Sequence, residues 1–351
     1  MTVTASRALG PNPQSFGSMF WENQFKTTIP LPSKDDSLKD QVAIITGSNS
    51  GLGLESAKQM LGAGLSRLIM GVRSIERGQE AAAQLRTVST DAIIDVWQID
   101  MENYQSIQRF VRRCEIDLPR IDFVILNAGI APAYHAKLAT GHESTVQVNY
   151  LSTVLLSILL LPVLKAKRPP GPEAQAPRLI TLGSVTARNA KFPNKSQRPL
   201  LPSFDQITPA LPWDPNDRYA VSKLLCQLTL ERIAARYVDA RDVVILMLEP
   251  GWVRGTGLFR ALPAIPRCIV RGLLWVCGRP LEQGAATYFD AAVRQPVGSH
   301  GSYVMNCRVA PYADFLYTEE AEGVADALWD ETMDDFSFAN ALEVLESMKK
   351  P

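Results

Sequence analysis

Short apolar runs rich in Val, Ile and Leu alternate with amphipathic stretches through most of this chain. "QVAIITG", "SRLIMGVR", "AIIDVWQID", "IDFVILNAG", "RLITLGS" and "VVILMLEPG" read as strands, with "GSYVM" as a last one. Between them, "LESAKQMLGAG", "SIERGQEAAAQLRTV" (Ser74 its N-cap), "NYQSIQRFVRRCE", "ESTVQVNYLSTVLLSILLLPVLKAK" and "RYAVSKLLCQLTLERIAARY" read as helices. A strand that is apolar along its whole length must be covered on both faces. Strands of that kind separated by helices specify an α/β fold: a parallel sheet of about seven strands with helices on both sides.

The rhythm does not fill the chain. Residues 1–38 are polar and Pro/Ser-rich around the aromatic patch "MFWENQF", and read as a weakly regular arm docked through Phe20, Trp21 and Phe25. Residues 168–178 hold four prolines and read as a surface loop; residues 191–217 hold six and interrupt the step from strand to helix. Loops of that length are usually functional or disordered. The tail from residue 316 reads as one or two amphipathic helices. The main domain is therefore expected over residues 39–315 and a helical extension over 316–351.

Lys and Arg (36) balance Asp and Glu (36), so no basic stripe for nucleic acid is expected. Five scattered cysteines without C-x-x-C, and three histidines without a paired motif, point away from disulfides and metal chemistry. No charged start leads into an apolar segment, and the greasiest run, residues 151–164, is too short to span a bilayer and contains Pro162. The expected location is the cytoplasm, as a soluble protein.

"TGSNSGLG" follows the first strand and opens the first helix of the sheet. Gly47, Gly51 and Gly53 leave room for a ligand to meet the unpaired N–H groups of the helix N-terminus, with Ser48, Asn49, Ser50 and Leu52 lining the turn; a merely tight turn is the alternative. Asn49 stands where a nucleophile elbow would place serine, which rules that motif out. The second strand ends in "GVRS": there is no carboxylate to read a ribose 2′-hydroxyl, but Arg73 can pair with a 2′-phosphate, so NADP(H) is expected rather than NAD(H). Asp100, beside Met101, lies near the adenine edge or caps the following helix. Asn127 can tie neighbouring strands, and the small Ala128 and Gly129 let the chain pass a flat ligand.

Tyr219 and Lys223, in "YAVSK", stand one helical turn apart. An ammonium beside a phenol favours the phenolate, and Ser184, at the end of "RLITLGS", aims a hydroxyl at the same sheet edge. A solvated helix face is the alternative for the pair alone.

Together these marks resemble the short-chain dehydrogenase/reductase family over roughly residues 40–310. They are "TGSNSGLG", "NAG" at residues 127–129, Asn149 in "VQVNY", Ser184, Tyr219 with Lys223, and "PGWV" at residues 250–253. "GVRS", "QVNYLS", "YAVSKLL", "ALWDET" and "FWENQF" resemble its retinol-dehydrogenase-like and fungal secondary-metabolite branch. The resemblance implies a single Rossmann-type doubly wound sheet and hydride transfer with Tyr219 as general acid or base. Ser184 would hold the substrate oxygen. Lys223 would lower the phenol pKa and bind the nicotinamide ribose, and Asn149 would hold a relay water. Pro250, Gly251 and Val253 would frame the carboxamide. A lipophilic ketone or alcohol, such as a polyketide or terpenoid, is the implied substrate, and a homodimer or homotetramer through the helices of Asn149 and Tyr219 the implied assembly. Two departures stand out. Gly255 occupies a position where a phosphate-binding Thr is usual, with Thr256 one residue later. Ser184 and Tyr219 are 35 residues apart. The insert 191–217 and the segment 254–284, with Trp275, are expected to wall the substrate mouth or to meet a partner subunit. A redox-neutral reaction (epimerase, dehydratase or cyclisation) and a non-enzymatic nucleotide sensor or scaffold are the competing functions.

Overall fold

All seven expected strands form, and an eighth joins them. They are Val42–Thr46 (β1), Arg67–Val72 (β2), Ile93–Gln98 (β3), Phe123–Leu126 (β4), Arg178–Leu182 (β5), Val244–Glu249 (β6) and Ser302–Met305 (β7). The eighth, Arg308–Ala310 (β8), turns back antiparallel on β7; at three residues it carries no readable periodicity. The coordinates are a computed structural model describing residues 4–169, 171, 175–257 and 264–349. Part of the expected loop 168–178 and part of the segment 254–284 lie outside the described residues. The sheet order is β3-β2-β1-β4-β5-β6-β7-β8. β1 pairs in parallel with both β2 and β4, so the winding reverses beside it, and the crevice beyond the carboxyl ends of β1 and β4 is where such sheets bind ligands. Every residue of β1, β4, β5 and β6 is buried, which is why their sequences are mostly apolar, with Thr46, Arg178, Thr181 and Glu249 the polar exceptions.

The helices in chain order are Ser6–Leu9 (α1), Phe16–Trp21 (α2), Gly51–Gly62 (α3), Ile75–Arg86 (α4), Tyr104–Asp117 (α5), Ser144–Val146 (α6), Ser152–Ala166 (α7), Pro215–Arg236 (α8), Ala264–Cys277 (α9), Leu281–Phe289 (α10), Glu320–Asp335 (α11) and Ala341–Met348 (α12). One face of the sheet packs on α3, α4 and α10 through Met60, Leu85 and Phe289. The other packs on α5, α7 and α8, and the two C-terminal helices add Leu328, Phe336 and Leu345 to that core. A π turn, Gln147–Leu151, joins α6 to α7, making a helix of 23 residues, long and apolar enough to cross a membrane but with 89% of its apolar 18-residue stretch buried within the fold.

The arm is more regular than its composition predicts. It forms α1, α2 and a π turn at Glu22–Lys26. It docks through Ser6, whose hydroxyl donates to the Ala310 carbonyl at 2.6 Å and accepts from Tyr303 N–H at 2.8 Å. Met19 and Ile29 are buried as well, whereas Trp21 and Phe25 are 56% and 45% exposed and stack mainly on each other. The six-proline insert is also not a free loop. Phe192, Leu200, Leu201 and Phe204 are buried, and Glu331 of α11 accepts the N–H groups of Leu200 and Leu201 at 2.7 Å each. Proline removes backbone donors; it does not prevent a segment from burying side chains.

His142 ties three of these pieces together. Its Nε2 lies 3.0 Å from Asp335 at the end of α11 and its Nδ1 lies 3.4 Å from Asp205 of the insert. Burial would lower its pKa, but the two carboxylates outweigh burial and push it up to about 9. A raised histidine pKa stabilises the fold fully below the unfolded value of about 6.5 and ceases to do so as pH rises through about 9. Urea unfolding is therefore expected to show a loss on the order of 2 kcal/mol between those limits, discounted for partial solvent screening. His142→Gln should flatten the dependence; a wild-type stability that is level across the window would contradict the assignment.

Candidate active site

The glycine turn is shaped for close approach. Gly47 sits at φ +66°, and a Cβ on Gly53 would stand 2.6 Å from Asn127 Nδ2 and 2.8 Å from the Gly47 carbonyl oxygen. Ser48 is buried and spends its hydroxyl on the Ile45 carbonyl at 2.9 Å. The helix that follows differs from its neighbours. Ser74, Asn103 and Asp214 cap α4, α5 and α8 with side-chain oxygens. Ser50 makes no such bond at the start of α3, so the N–H groups there remain available to an anion, with Asn49 and Leu52 beside them.

Asn127 does tie the strands together. Its Nδ2 donates to the carbonyls of Thr46 and Gly47 at 2.9 and 3.2 Å, and its Oδ1 accepts from Tyr288 of α10 at 2.8 Å. Ala128 N–H donates to Thr46 Oγ1 at 3.1 Å. Thr256 lies directly over the glycine turn, its Cα 3.8 Å from where a Gly51 Cβ would stand.

Asp100 is not the cap of α5; Asn103 is, accepting from Ser106 N–H at 2.9 Å. The Asp100 carboxylate instead accepts from Glu102 N–H at 3.0 Å, and Met101 is buried with its carbonyl bonded by Ser152. Arg73 is exposed and paired with Glu102 at 2.8 Å. The fold thus supplies that guanidinium with a carboxylate partner which the second strand alone did not reveal.

Ser184, Tyr219, Lys223 and Asn149 converge beyond the ends of β4, β5 and β6. Ser184 Oγ is 2.8 Å from Thr186 Oγ1. Lys223, buried on α8, donates to the Leu182 carbonyl at 2.8 Å and stands 5.8 Å from the Tyr219 ring centroid. Burial pushes the Tyr219 phenol upward, the Glu249 charge adds to this, and a hydrogen bond with Ser184 works against both. The expected lowering by Lys223 is thus not what the protein alone produces: the phenol is held protonated, and burial lowers the lysine instead. Asn149 lies in the π turn, a widening that often marks functional positions. Its Oδ1 accepts from Ile130 N–H at 2.9 Å, while Nδ2 donates to the Ile130 carbonyl and to Ser222 Oγ. Its side chain is therefore spent on the protein, and its carbonyl already accepts from Cys226 Sγ at 3.0 Å.

Comparison with known proteins decides the family. The chain is 44% identical over 349 residues, 99% of either chain, to the short chain dehydrogenase/reductase mfmJ of Annulohypoxylon moriforme. It belongs to the short-chain dehydrogenase/reductase family. The short chain dehydrogenase virL of Hypocrea virens is 42% identical over 94% of this chain and 95% of its own. The short-chain dehydrogenase fogG of Aspergillus ruber is 35% identical over 95% of each. The family model described as short chain dehydrogenase matches residues 41–195. Among solved structures, the Pseudomonas aeruginosa RhlG/NADP active-site complex superposes with a TM-score of 0.57 at 20% identity, covering 82% of this chain and all of that one, a likeness of fold.

In this family member the 250–253 loop is held by residues that lie outside the "PGWV" motif. Gly251 has φ +85°, and Val253 is buried. Gln24 of the arm accepts from Trp252 N–H at 3.2 Å and donates to the Trp252 and Cys277 carbonyls at 2.8 Å each. Buried Arg279 donates to the carbonyls of Pro250 and Asn23. Beneath them Glu249, 3% exposed, closes β6. Its signal was present in the sequence, as one charged residue ending the run "VVILML" before "PG".

Proposed function

We propose that this oxidoreductase reduces a ketone, or oxidises a secondary alcohol, of a lipophilic small molecule in secondary metabolism, using NADP(H). The convergence of Ser184, Tyr219 and Lys223 at the end of the sheet beside an uncapped, glycine-lined helix N-terminus carries this reading. The α3 N-terminus with Gly47, Gly51 and Gly53 would hold the pyrophosphate. Arg73 would hold the 2′-phosphate, Asp100 and Met101 would flank the adenine, and Lys223 would take the nicotinamide ribose. The 250–253 loop would hold the carboxamide side, and Thr256, over the glycine turn, would meet the phosphate side. A nicotinamide bound there supplies the hydride.

The chain's own part is proton and oxygen chemistry. In reduction, Tyr219 O–H donates its proton to the substrate oxygen, a task suited to a phenol that burial keeps protonated. Ser184 O–H donates to the same oxygen and stabilises the charge that develops on it. Lys223 holds a positive charge behind both. Because the Asn149 side chain is committed to Ile130 and Ser222, its part in a proton relay would fall to its backbone carbonyl.

Exposed Ile269, Leu273, Trp275 and Val276 on α9, which follows Thr256 in the chain, support a lipophilic substrate. So does the edge-on pair of His135 and Trp213, where the last part of the insert meets the loop after β4. Leu200 and Leu201 of the insert are tied to Glu331 of α11. Arg73→Ala is expected to weaken NADPH binding by about tenfold or more and NADH binding little, measured by cofactor fluorescence. Equal losses would make Arg73 a surface residue paired with Glu102 and no more. A panel of ketones and alcohols followed with both cofactors identifies the substrate class; conversion without cofactor consumption would favour the redox-neutral alternative.

A further inference from the structure

A buried carboxylate stands among the reacting groups with no part in the chemistry described so far. Glu249 divides its two oxygens: Oε2 accepts from Val185 N–H at 2.9 Å and Oε1 from Gly251 N–H at 2.9 Å. Val185 follows Ser184 directly, and Gly251 lies within the 250–253 loop. One side chain therefore joins the turn that aims the serine to the loop assigned to the carboxamide. Two backbone donors do not by themselves require a charge, and burying one is costly unless other charges compensate.

The groups acting on it or acted on by it are Tyr219 and Lys223 from α8, Arg279 from the segment before α10, Tyr288 from α10 and Tyr303 from β7. Among the described residues no carboxylate makes an ion pair with Lys223; burial lowers its pKa, and Cys226 first and Glu249 second act the other way.

We propose that Glu249 is a positioning residue of the catalytic centre, clamping the Ser184 turn to the 250–253 loop. The proposal rests on the reading of Tyr219, Lys223 and that loop given above. Burial pushes the Glu249 carboxyl up to about 7, against the pull of Val185 N–H, Arg279, Gly251 N–H and Lys223. Its charge, when present, also raises the Tyr219 phenol.

The test uses the full chain, NADPH as the probe, and the titration of Tyr219 followed by NMR of ring-labelled tyrosine, assigned by difference against Tyr219→Phe. Glu249→Gln keeps the shape but offers one oxygen for two donors and no charge. It is expected to weaken NADPH binding about tenfold and to move the Tyr219 midpoint down by about half a pH unit or more. NADPH affinity within twofold of wild type would overturn the clamp, and an unmoved midpoint would overturn the place of Glu249 beside the reacting phenol. If Glu249→Gln does not fold, Val185→Pro removes one donor and leaves the carboxylate in place. Ser184 is already extended (φ −159°, ψ 142°), as a residue before proline must be. That variant should weaken NADPH binding with the Tyr219 midpoint not lowered; unchanged binding would again overturn the clamp. A wild-type chain that binds neither NADPH nor NADH would sink the cofactor reading itself, which is a different result.

Discussion

Tyr219→Phe is expected to lose about a thousandfold in turnover while binding NADPH within a few-fold of wild type. The substitution removes only the hydroxyl that exchanges a proton with the substrate oxygen. The ring, its place on α8 and the Lys223 bond to the Leu182 carbonyl all stay. What remains is the positioning and the hydrogen bond from Ser184, which hold the substrate oxygen but deliver no proton. The measurement is kcat on whichever ketone the panel yields, with NADPH affinity from fluorescence on the same sample. Turnover within a few-fold of wild type would remove Tyr219 from the chemistry. Lost NADPH binding would show that the phenol is needed for the cofactor, and would leave its acid role unsupported.

The second large effect lies far from the reacting groups. Phe336→Ala is expected to cost about 3–5 kcal/mol in urea unfolding, because Phe336 is fully buried at the end of α11, edge-on to Tyr104. Removing residues 320–349 should do more: the chain becomes insoluble or self-associates. Leu328 and Leu345 are fully buried in the core shared with α7 and α8. Tyr150, just before α7, bonds Thr332 at 2.7 Å, and Trp329 stacks on Tyr237 at 5.3 Å. The two helices through which the family resemblance suggests assembly thus have apolar surface covered by the chain's own C-terminus. Size-exclusion chromatography of the truncated chain reads the outcome. A soluble truncation with wild-type stability would mean that α11 and α12 are an appendage and not part of the core.

Much of this architecture is legible in the sequence, for a physical reason. Strands buried on both faces have little choice but to be apolar, so β1, β2, β4, β5 and β6 announce themselves. The glycine turn is equally plain, because only residues without a Cβ fit against Asn127. What stays hidden depends on partners distant in the chain. Phe192 and Phe204 sit in the proline-rich insert whose sequence suggests a wall of the substrate mouth or a partner contact, yet they are buried within the chain's own core. Arg73 reads as a free phosphate receptor until the fold brings Glu102 to it. The acceptor role of Glu249 depends on Val185, 64 residues earlier, and no local pattern records such a contact. The tyrosine pKa is misjudged from "YAVSK" for the same reason. The Tyr/Lys spacing shows the nearby cation and hides both the burial and the opposing carboxylate.

Hydride transfer from NADPH to a ketone can be followed by isotope. NADPH carrying deuterium at the transferring C4 position is supplied to the enzyme with a ketone that it converts, and the product alcohol is analysed by mass spectrometry and NMR. One deuterium per product molecule is expected, on the carbinol carbon, with one NADPH consumed for each. Conversion to product with no deuterium incorporated and no NADPH consumed would contradict hydride transfer.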